Sequence, residues 1–167
     1  MAWLVEHAAL LPTAGDALDV ACGRGRHALW VASRGLRVRA VDRDAAAIAE
    51  LRQEASRRGV ALVADVLDLE AGTTSFGRDA YDLIVVAHYL HRPLFPALRD
   101  ALRPGGVLVY ETFTEAQARR GRPTNPAFLL APGELERLVS PLEILESREG
   151  EFDGRDVASL IARRPST

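Results

Sequence analysis

The chain has 167 residues, 48% of them hydrophobic, and a chain of this size and composition can form one domain with an ordinary buried core. Its net charge of −2 gives no reason to expect a nucleic-acid or acidic-membrane partner. All 21 residues counted as Lys or Arg are arginine, which excludes Schiff-base and P-loop lysine chemistry. The single cysteine, Cys22, excludes an internal disulfide, and no cysteine or histidine spacing predicts a metal site.

The first eleven residues are apolar but are interrupted by Glu6 and His7, with no basic region before them. They make a poor signal peptide and are too short to span a bilayer. We therefore expect a cytoplasmic protein without a membrane segment.

Helical and strand patterns alternate along most of the chain. The predicted strands occupy residues 17–21, 36–41, 60–64, 81–86, 107–111, 142–147 and 157–162. The predicted helices occupy residues 3–11, 27–33, 45–58, 93–103 and 133–139. Asp44 is placed to cap the third helix and Gly59 to end it. The fourth strand is the most continuously apolar run, as expected of a strand buried on both faces.

This alternation predicts an α/β fold with a doubly wound, mostly parallel sheet between two layers of helices. We expect one domain over residues 1–167, whose last two strands form a hairpin at the sheet edge. The regular pattern lapses between Thr112 and Pro132, a stretch with three prolines and a basic cluster. We name this stretch the roof segment, because it follows the fifth strand and is placed to cover the strand ends.

The first strand runs directly into the glycine loop, which we define as Ala21–Gly25. A helical pattern begins at once behind it. A strand, a tight glycine turn and a helix N-terminus bring bare backbone N–H groups against a ligand. Glycine suits this loop because it adopts positive φ and permits close approach.

Polar or glycine residues stand at or just past the predicted carboxyl ends of several strands, and these are Asp19, Gly23, Asp42, Asp65 and His88. In doubly wound sheets, ligands bind at this edge, near the point where the strand order reverses. The sequence therefore predicts a single crevice that these residues share.

The glycine loop alone permits two interpretations. Gly23-x-Gly25-x-x-Ala28 with Asp42 also satisfies the dinucleotide fingerprint of nicotinamide enzymes. Three features count against that alternative. Asp19 replaces the apolar residue normally found there, the chain has no room for a separate substrate domain, and a hairpin closes the sequence.

Six segments carry a resemblance to the class I S-adenosylmethionine-dependent methyltransferases. They are residues 19–25, 40–42, 64–65, 102–106 and, for one subgroup, 89–96 with 121–126. That subgroup is the bacterial small-molecule methyltransferases grouped with tellurite-resistance proteins. The resemblance covers roughly residues 15–165 and implies a Rossmann-like sheet of seven strands with an antiparallel C-terminal strand. One departure is Ala21, which stands where the family has the first glycine; we expect a slightly tighter fit there.

The resemblance implies a role for each matching residue. Asp19 and the backbone of Gly23–Gly25 would hold the methionyl end of S-adenosylmethionine, and Asp42 would accept hydrogen bonds from the ribose hydroxyls. Asp65, with Val66 beside it, would meet the adenine amino edge, and Asp68 is an alternative partner there. Ala21 and Arg43 complete the predicted cofactor-binding set.

The strand-four loop, Ala87–His91, is where members of the class place groups that face the substrate. The Asn/Asp-Pro-Pro-Tyr/Phe motif of amide and amine N-methyltransferases is absent here. His88, Tyr89 and His91 are therefore catalytic candidates that could orient or deprotonate a substrate. Packing or an ordinary hydrogen-bonded histidine is the alternative for each.

The predicted function is methyl transfer from S-adenosylmethionine to a small molecule. Tyr89, Phe113 and Phe128 could supply apolar walls, and the arginines of the roof segment, Arg119, Arg120 and Arg122, could supply an anchor for an anion. Two alternatives stay open: a nicotinamide-dependent oxidoreductase and a nucleotide-binding module without catalysis.

Overall fold

The computed structural model describes residues 1–167 and contains one seven-stranded sheet. The strands are β1 (Asp16–Val20), β2 (Arg37–Asp42), β3 (Leu62–Val66), β4 (Tyr81–Ala87), β5 (Leu102–Phe113), β6 (Glu143–Phe152) and β7 (Arg155–Arg163). The helices are α1 (Ala2–Glu6), α2 (Arg26–Ser33), α3 (Ala45–Arg58), α4 (Phe95–Ala101) and α5 (Glu134–Val139). Short 3₁₀ turns lie at Ala8–Leu10, Arg92–Leu94, Glu115–Arg119 and Pro126–Phe128. None of the helices has the length and apolar character that crossing a membrane requires.

The strand order is β3-β2-β1-β4-β5-β7-β6. The first five strands pair in parallel, and β7 is antiparallel to both of its neighbours, β5 and β6. The predicted Rossmann-like sheet with an antiparallel C-terminal strand is confirmed. The order reverses between β1 and β4, so the carboxyl ends of these two strands flank the crevice in which such sheets bind ligands.

Alternate side chains of the central strands pack on opposite faces of the sheet. Leu18 and Ile84 belong to one buried cluster, together with residues of α4 and α5. Ala17 and Leu83 belong to a second cluster, together with residues of α1, α2 and α3. This period-two alternation in strands that are buried on both faces produces the two helical layers.

The bounds of α3 agree with the sequence prediction. The Asp44 carboxylate accepts hydrogen bonds from the N–H groups of Ala46 and Ala47, and Gly59 ends the helix at φ +66°. These contacts satisfy donors that a helix start leaves free and provide the left-handed turn that a helix end favours.

The bounds of β3 differ from the sequence prediction of residues 60–64. The apolar run beginning at Val60 suggested an earlier start, but the ladder with β2 pairs Val38 with Leu62 and Asp42 with Val66. Register against the neighbouring strand therefore moves β3 two residues later. This shift decides which residues enter the crevice after β3.

Candidate active site

The glycine loop passes from β1 to α2 through three residues in the left-handed region. Their φ values are +56° at Ala21, +55° at Gly23 and +77° at Gly25. A Cβ at Gly25 would lie 2.4 Å from Cδ1 of the buried Leu51, whereas one at Gly23 would meet nothing within 4 Å. Gly25 is thus required by α3 behind the loop, and Gly23 leaves open space in front of it. Ala21 holds a conformation that costs an L-residue about 1–2 kcal/mol.

Asp19 is buried at the end of β1, with 2% of its surface exposed. Its Oδ2 atom has no hydrogen-bond partner within the protein. Burial raises the pKa of this carboxyl to about 7, although the Ala28 backbone N–H favours the ionised form. A buried carboxylate oxygen without a partner is costly, and a cationic group such as an ammonium would both satisfy it and favour its ionisation.

Asp42 ends β2 and connects two segments of the site. Its Oδ2 accepts a hydrogen bond of 2.8 Å from the Gly23 N–H, and its Oδ1 accepts one of 2.9 Å from the Asp44 N–H. The same carboxylate lines a cavity at the carboxyl edge of the sheet, which is described below. Asp42 therefore orders the glycine loop while its carboxylate faces the cavity.

A cavity of about 500 Å³ opens along the carboxyl edge of the sheet. Of the residues predicted for the site, it is lined by Ala21, Asp42, Arg43, His88 and Tyr89. Asp19, Gly23 and Gly25 belong to the strand end and loop that flank Ala21. The remaining lining residues are Leu67, Asp68, Leu69, Glu70, Leu90, Thr112, Phe113, Arg122, Pro123 and Phe128.

The structure does not bring Asp65 and Val66 to this cavity. Asp65 forms an ion pair of 3.2 Å with Arg39, and the Val66 side chain on the edge strand is half exposed. The residues after β3 enter the cavity instead, and the Leu67 N–H donates to the Asp42 carbonyl at 2.9 Å. Because β3 runs two residues beyond the predicted end, Asp65 lies inside the strand, and Asp68 is the first carboxylate past it.

His88 follows β4 with a left-handed backbone, φ +54°, which is uncommon for a non-glycine residue. Its ring stacks on Phe113, with centroids 5.0 Å apart and planes at 23°. Its Nε2 lies 3.4 Å from Oε1 of Glu111, a buried residue of β5. The sequence predicted no role for Glu111, although a carboxylate inside an otherwise apolar strand was an available signal.

Tyr89 also lines the cavity, and its hydroxyl is buried without a hydrogen-bond partner. Burial raises the pKa of Tyr89 to about 12, so the hydroxyl keeps its proton and is suited to donate a hydrogen bond to a ligand. The Tyr110 hydroxyl donates to the Tyr89 carbonyl at 2.6 Å and holds the loop in place.

His91 does not line the cavity. Its Nδ1 lies 3.4 Å from Oε1 of Glu70, and it leads directly into the turn at Arg92–Leu94. The structure therefore separates His91 from the other two catalytic candidates.

Arg92 joins the strand-four loop to the roof segment. Its guanidinium contacts Glu134 at 2.6 Å and donates to the carbonyls of Ala127 at 3.2 Å and Leu129 at 3.0 Å. Neither Arg92 nor Glu134 was predicted, because these contacts join residues about 40 positions apart. This connection fixes the part of the roof segment that carries Phe128.

Only one of the three predicted arginines reaches the cavity. Arg122 lines it beside Pro123, whereas Arg120 pairs with Asp156 and Glu151 away from the cavity. Arg119 is exposed. Of the three arginines predicted to anchor an anion, only Arg122 can therefore do so. Arg43, which follows β2, is the other arginine that lines the cavity.

The sequence from residue 17 to residue 106 matches the family described as "Methyltransferase domain", which is more than half of the chain. The chain belongs to this family. Its fold is that of the class I S-adenosylmethionine-dependent methyltransferases, and S-adenosylmethionine is the cofactor of this methyltransferase domain.

Two solved structures place the methyltransferase domain among folds of this class. TehB from Haemophilus influenzae has a TM-score of 0.81 at 22% identity, and the match covers 98% of this chain and 62% of that one. An S-adenosylmethionine-dependent methyltransferase from Mesorhizobium loti has a TM-score of 0.77 at 19% identity and covers 98% of both chains.

A curated relative named Hemagglutinin 1, from Eikenella corrodens, is 30% identical over 165 residues. The match covers 89% of this chain and 54% of the relative. The methyltransferase domain thus spans about half the length of that relative.

The residues present fit the cofactor. The partnerless oxygen of Asp19 suits its amino group, the space in front of Gly23 leaves room for close approach, and Asp42 offers acceptors for ribose hydroxyls.

Proposed function

We propose that the methyltransferase domain transfers a methyl group from S-adenosylmethionine to a small, partly apolar acceptor. The observation that carries the proposal is one cavity bounded on one side by Ala21 and Asp42 and on the other by Phe113 and Phe128. A cofactor on the first side would thus share one cavity with an acceptor on the second. Cavities of several hundred Å³ that combine apolar walls with a few polar groups are typical of small-molecule sites.

Each part of the cofactor has a proposed partner. Asp19 and the start of α2 hold the amino and carboxylate groups, because a buried carboxylate attracts the former and a helix N-terminus the latter. Asp42 accepts hydrogen bonds from the ribose, and Arg43, Leu67 and Leu69 enclose the adenine.

Asp68, rather than Asp65, is the proposed partner of the adenine amino group, because only Asp68 lines the cavity. We expect Asp68→Ala to weaken binding of S-adenosylhomocysteine by roughly tenfold, the loss of one hydrogen bond to a charged group. Asp65→Ala is the matched control, since it removes a carboxylate that pairs with Arg39 outside the cavity. Calorimetric titration measures both variants. A greater loss in Asp65→Ala than in Asp68→Ala would contradict this placement.

The protein's task in the reaction is mainly positioning. When bound, S-adenosylmethionine supplies a methyl group on a positively charged sulfur that is already activated for displacement. Tyr89 offers a hydrogen-bond donor and His88 a proton acceptor at the edge of the cavity. Holding two reactants in line can supply much of the rate of such a step.

The acceptor side of the cavity combines apolar walls with one cation. Phe113, Pro123 and Phe128 provide the walls, and Arg122 provides a guanidinium without an ion-pair partner. Arg92 holds this side together through Glu134 and two carbonyls of the roof segment. These features favour a compact acceptor with an apolar body and at most one anionic group.

Of the two alternatives, the nicotinamide-dependent oxidoreductase loses its support because the chain belongs to the methyltransferase family. A binding module without catalysis differs from the proposed function only in turnover.

The proposed function is tested first by ligand binding. S-adenosylhomocysteine at 100 times its Kd is expected to stabilise the native state by about 2.7 kcal/mol. For a domain of this size, that raises the melting temperature by roughly 5–10 °C. NAD at the same concentration is the control, and a shift with NAD alone would contradict the assignment. Mass spectrometry of a small-acceptor panel then tests turnover, and binding without methylation of any member would support the module instead.

A further inference from the structure

A buried carboxylate stands behind His88. Glu111 has 7% of its surface exposed, and its two oxygens face different partners. Oε1 lies 3.4 Å from His88 Nε2, while Oε2 accepts a hydrogen bond of 2.6 Å from the Ser159 hydroxyl of β7. Arg148 Nη2 lies 3.5 Å from the same Oε2. The carboxylate is therefore oriented from both ends.

The Glu111 carboxylate remains charged in this position. Burial opposes its ionisation, but contacts with His88, Ser159 and Arg148 hold its pKa below its usual value. Arg148 is at the limit of hydrogen-bond distance, and its guanidinium stacks on the rings of Trp3 at 4.7 Å and Phe152 at 3.8 Å. The negative charge is thus incompletely paired and directed at the His88 ring.

Three features of the structure constrain His88. Its backbone N–H donates to the Glu111 carbonyl at 2.8 Å, its ring stacks on Phe113, and its φ is +54°. Strained backbone of this kind persists where the surrounding structure over-determines it, and it concentrates at functional sites. With Nε2 facing a carboxylate, the neutral ring carries its proton on Nε2 and leaves the lone pair of Nδ1 free.

We propose that Glu111 is a positioning residue that prepares His88 to accept a proton from the methyl acceptor. This inference rests on the proposed function. It restricts the methyl acceptor to a compound whose accepting atom carries a proton that must be lost, such as a hydroxyl, a thiol or an amine. The acceptor atom forms its bond to the methyl carbon as the carbon–sulfur bond breaks, and the electron pair of that bond stays on sulfur. The acceptor's proton moves to Nδ1 of His88 and later to water. Glu111 stabilises the imidazolium that exists between these two transfers.

Other charged or titratable groups lie near this pair. They are Arg148 beside Glu111, the amino group of Met1 and the ring of His27 in α2. Burial lowers the pKa of His27 to about 4, so this second histidine stays neutral and does not compete as a cation.

Glu111→Gln tests the inference, because it keeps the shape and a hydrogen-bond acceptor for Ser159 but removes the charge. Glu143→Gln is the matched control: it makes the same change on β6, at a carboxylate that pairs with Arg163.

The first readout needs no acceptor. Nitrogen-15 NMR of histidine-labelled protein, with His88 assigned through His88→Asn, reports which ring nitrogen carries the proton. We expect Nε2–H in the unmodified protein and in Glu143→Gln, and a mixture of tautomers in Glu111→Gln.

The second readout compares two probe acceptors with S-adenosylmethionine present. Phenol is protonated at neutral pH, whereas thiophenol is largely ionised and needs no base. In Glu111→Gln, kcat for phenol is expected to fall by about 100-fold, while kcat for thiophenol stays within about twofold. KM should change little for either.

Several outcomes would overturn the inference. They are a proton on Nδ1 of His88 in the unmodified protein, an unchanged tautomer in Glu111→Gln, or an equal loss with both acceptors, as a purely structural role would give. If neither probe is methylated, the His88 tautomer measured by NMR alone decides whether Glu111 has the proposed role. Titration with S-adenosylhomocysteine on the same preparations separates the proposals: absent binding to the unmodified protein contradicts the proposed function, whereas intact binding with an unchanged tautomer contradicts only the role of Glu111.

Discussion

Asp42→Ala is expected to weaken binding of S-adenosylhomocysteine by about 1.5–3 kcal/mol, or roughly 10–150-fold. The carboxylate is placed to accept hydrogen bonds from ribose hydroxyls, and it also holds the Gly23 N–H at 2.8 Å. The variant therefore loses ligand contacts and loosens the loop that approaches the ligand. Isothermal titration calorimetry measures the change.

Asp44→Ala is the matched control for this variant. It removes a carboxylate two residues away whose role is to cap α3 through the N–H groups of Ala46 and Ala47. Loss of such a cap costs about 1 kcal/mol of stability, with little effect on ligand affinity. Unchanged affinity in folded Asp42→Ala protein, or an equal loss in Asp44→Ala, would show that the ribose binds elsewhere.

Gly25→Ala is expected to destabilise the protein by about 2–4 kcal/mol. The added Cβ would lie 2.4 Å and 2.5 Å from the two terminal carbons of Leu51, which is fully buried, and φ is +77° at this position. Steric conflict and backbone strain act together here. The melting temperature should fall by roughly 5–15 °C, measured by calorimetry, with urea unfolding to confirm the free energy.

Gly23→Ala separates these two causes. Its φ of +55° imposes a similar strain, but the added Cβ would meet nothing within 4 Å. We expect a loss of only about 1 kcal/mol of stability, together with weaker binding of S-adenosylhomocysteine because the methyl group enters the space in front of the loop. Equal destabilisation by both substitutions would mean that contact with Leu51 is not what requires glycine at position 25.

The fold was predictable because its signals are local. The apolar run Tyr81–Val86 marked a central strand, and Asp44 and Gly59 marked both ends of α3, all of which the structure reproduces. Hydrophobic pattern, caps and turns act within a few residues, so a single sequence contains them. The hairpin of the last two strands was predicted from the sequence pattern, whereas the antiparallel C-terminal strand of the seven-stranded sheet came from the family resemblance.

The site was predictable only in part. The structure brings Asp42, His88 and Tyr89 to the cavity, because each stands at a strand end that the sequence marks clearly. The sequence could not show that Asp68 rather than Asp65 reaches the cavity. The end of β3 depends on its register with β2, and no residue of β3 itself encodes that register.

Two contacts of the site depend on residues far apart in the chain. The link of Arg92 to Glu134 spans 42 positions and that of Glu111 to Ser159 spans 48. No local sequence pattern links the members of either pair. They come into contact only when the strands and the roof segment pack together. Sequence patterns report the periodicity of an element but not the partner that its polar residues meet.

The place of β7 between β5 and β6 determines the order in which the two halves of the cavity can be completed during synthesis. Residues 16–113 already contain the glycine loop, Asp42, the strand-four loop and Glu111. Until residues 155–163 join the sheet, however, one edge of β5 has no neighbour and Glu111 lacks Ser159. The cofactor side is thus built from contacts among early residues, whereas the acceptor side waits for a late, long-range strand pairing, a step that is intrinsically slow.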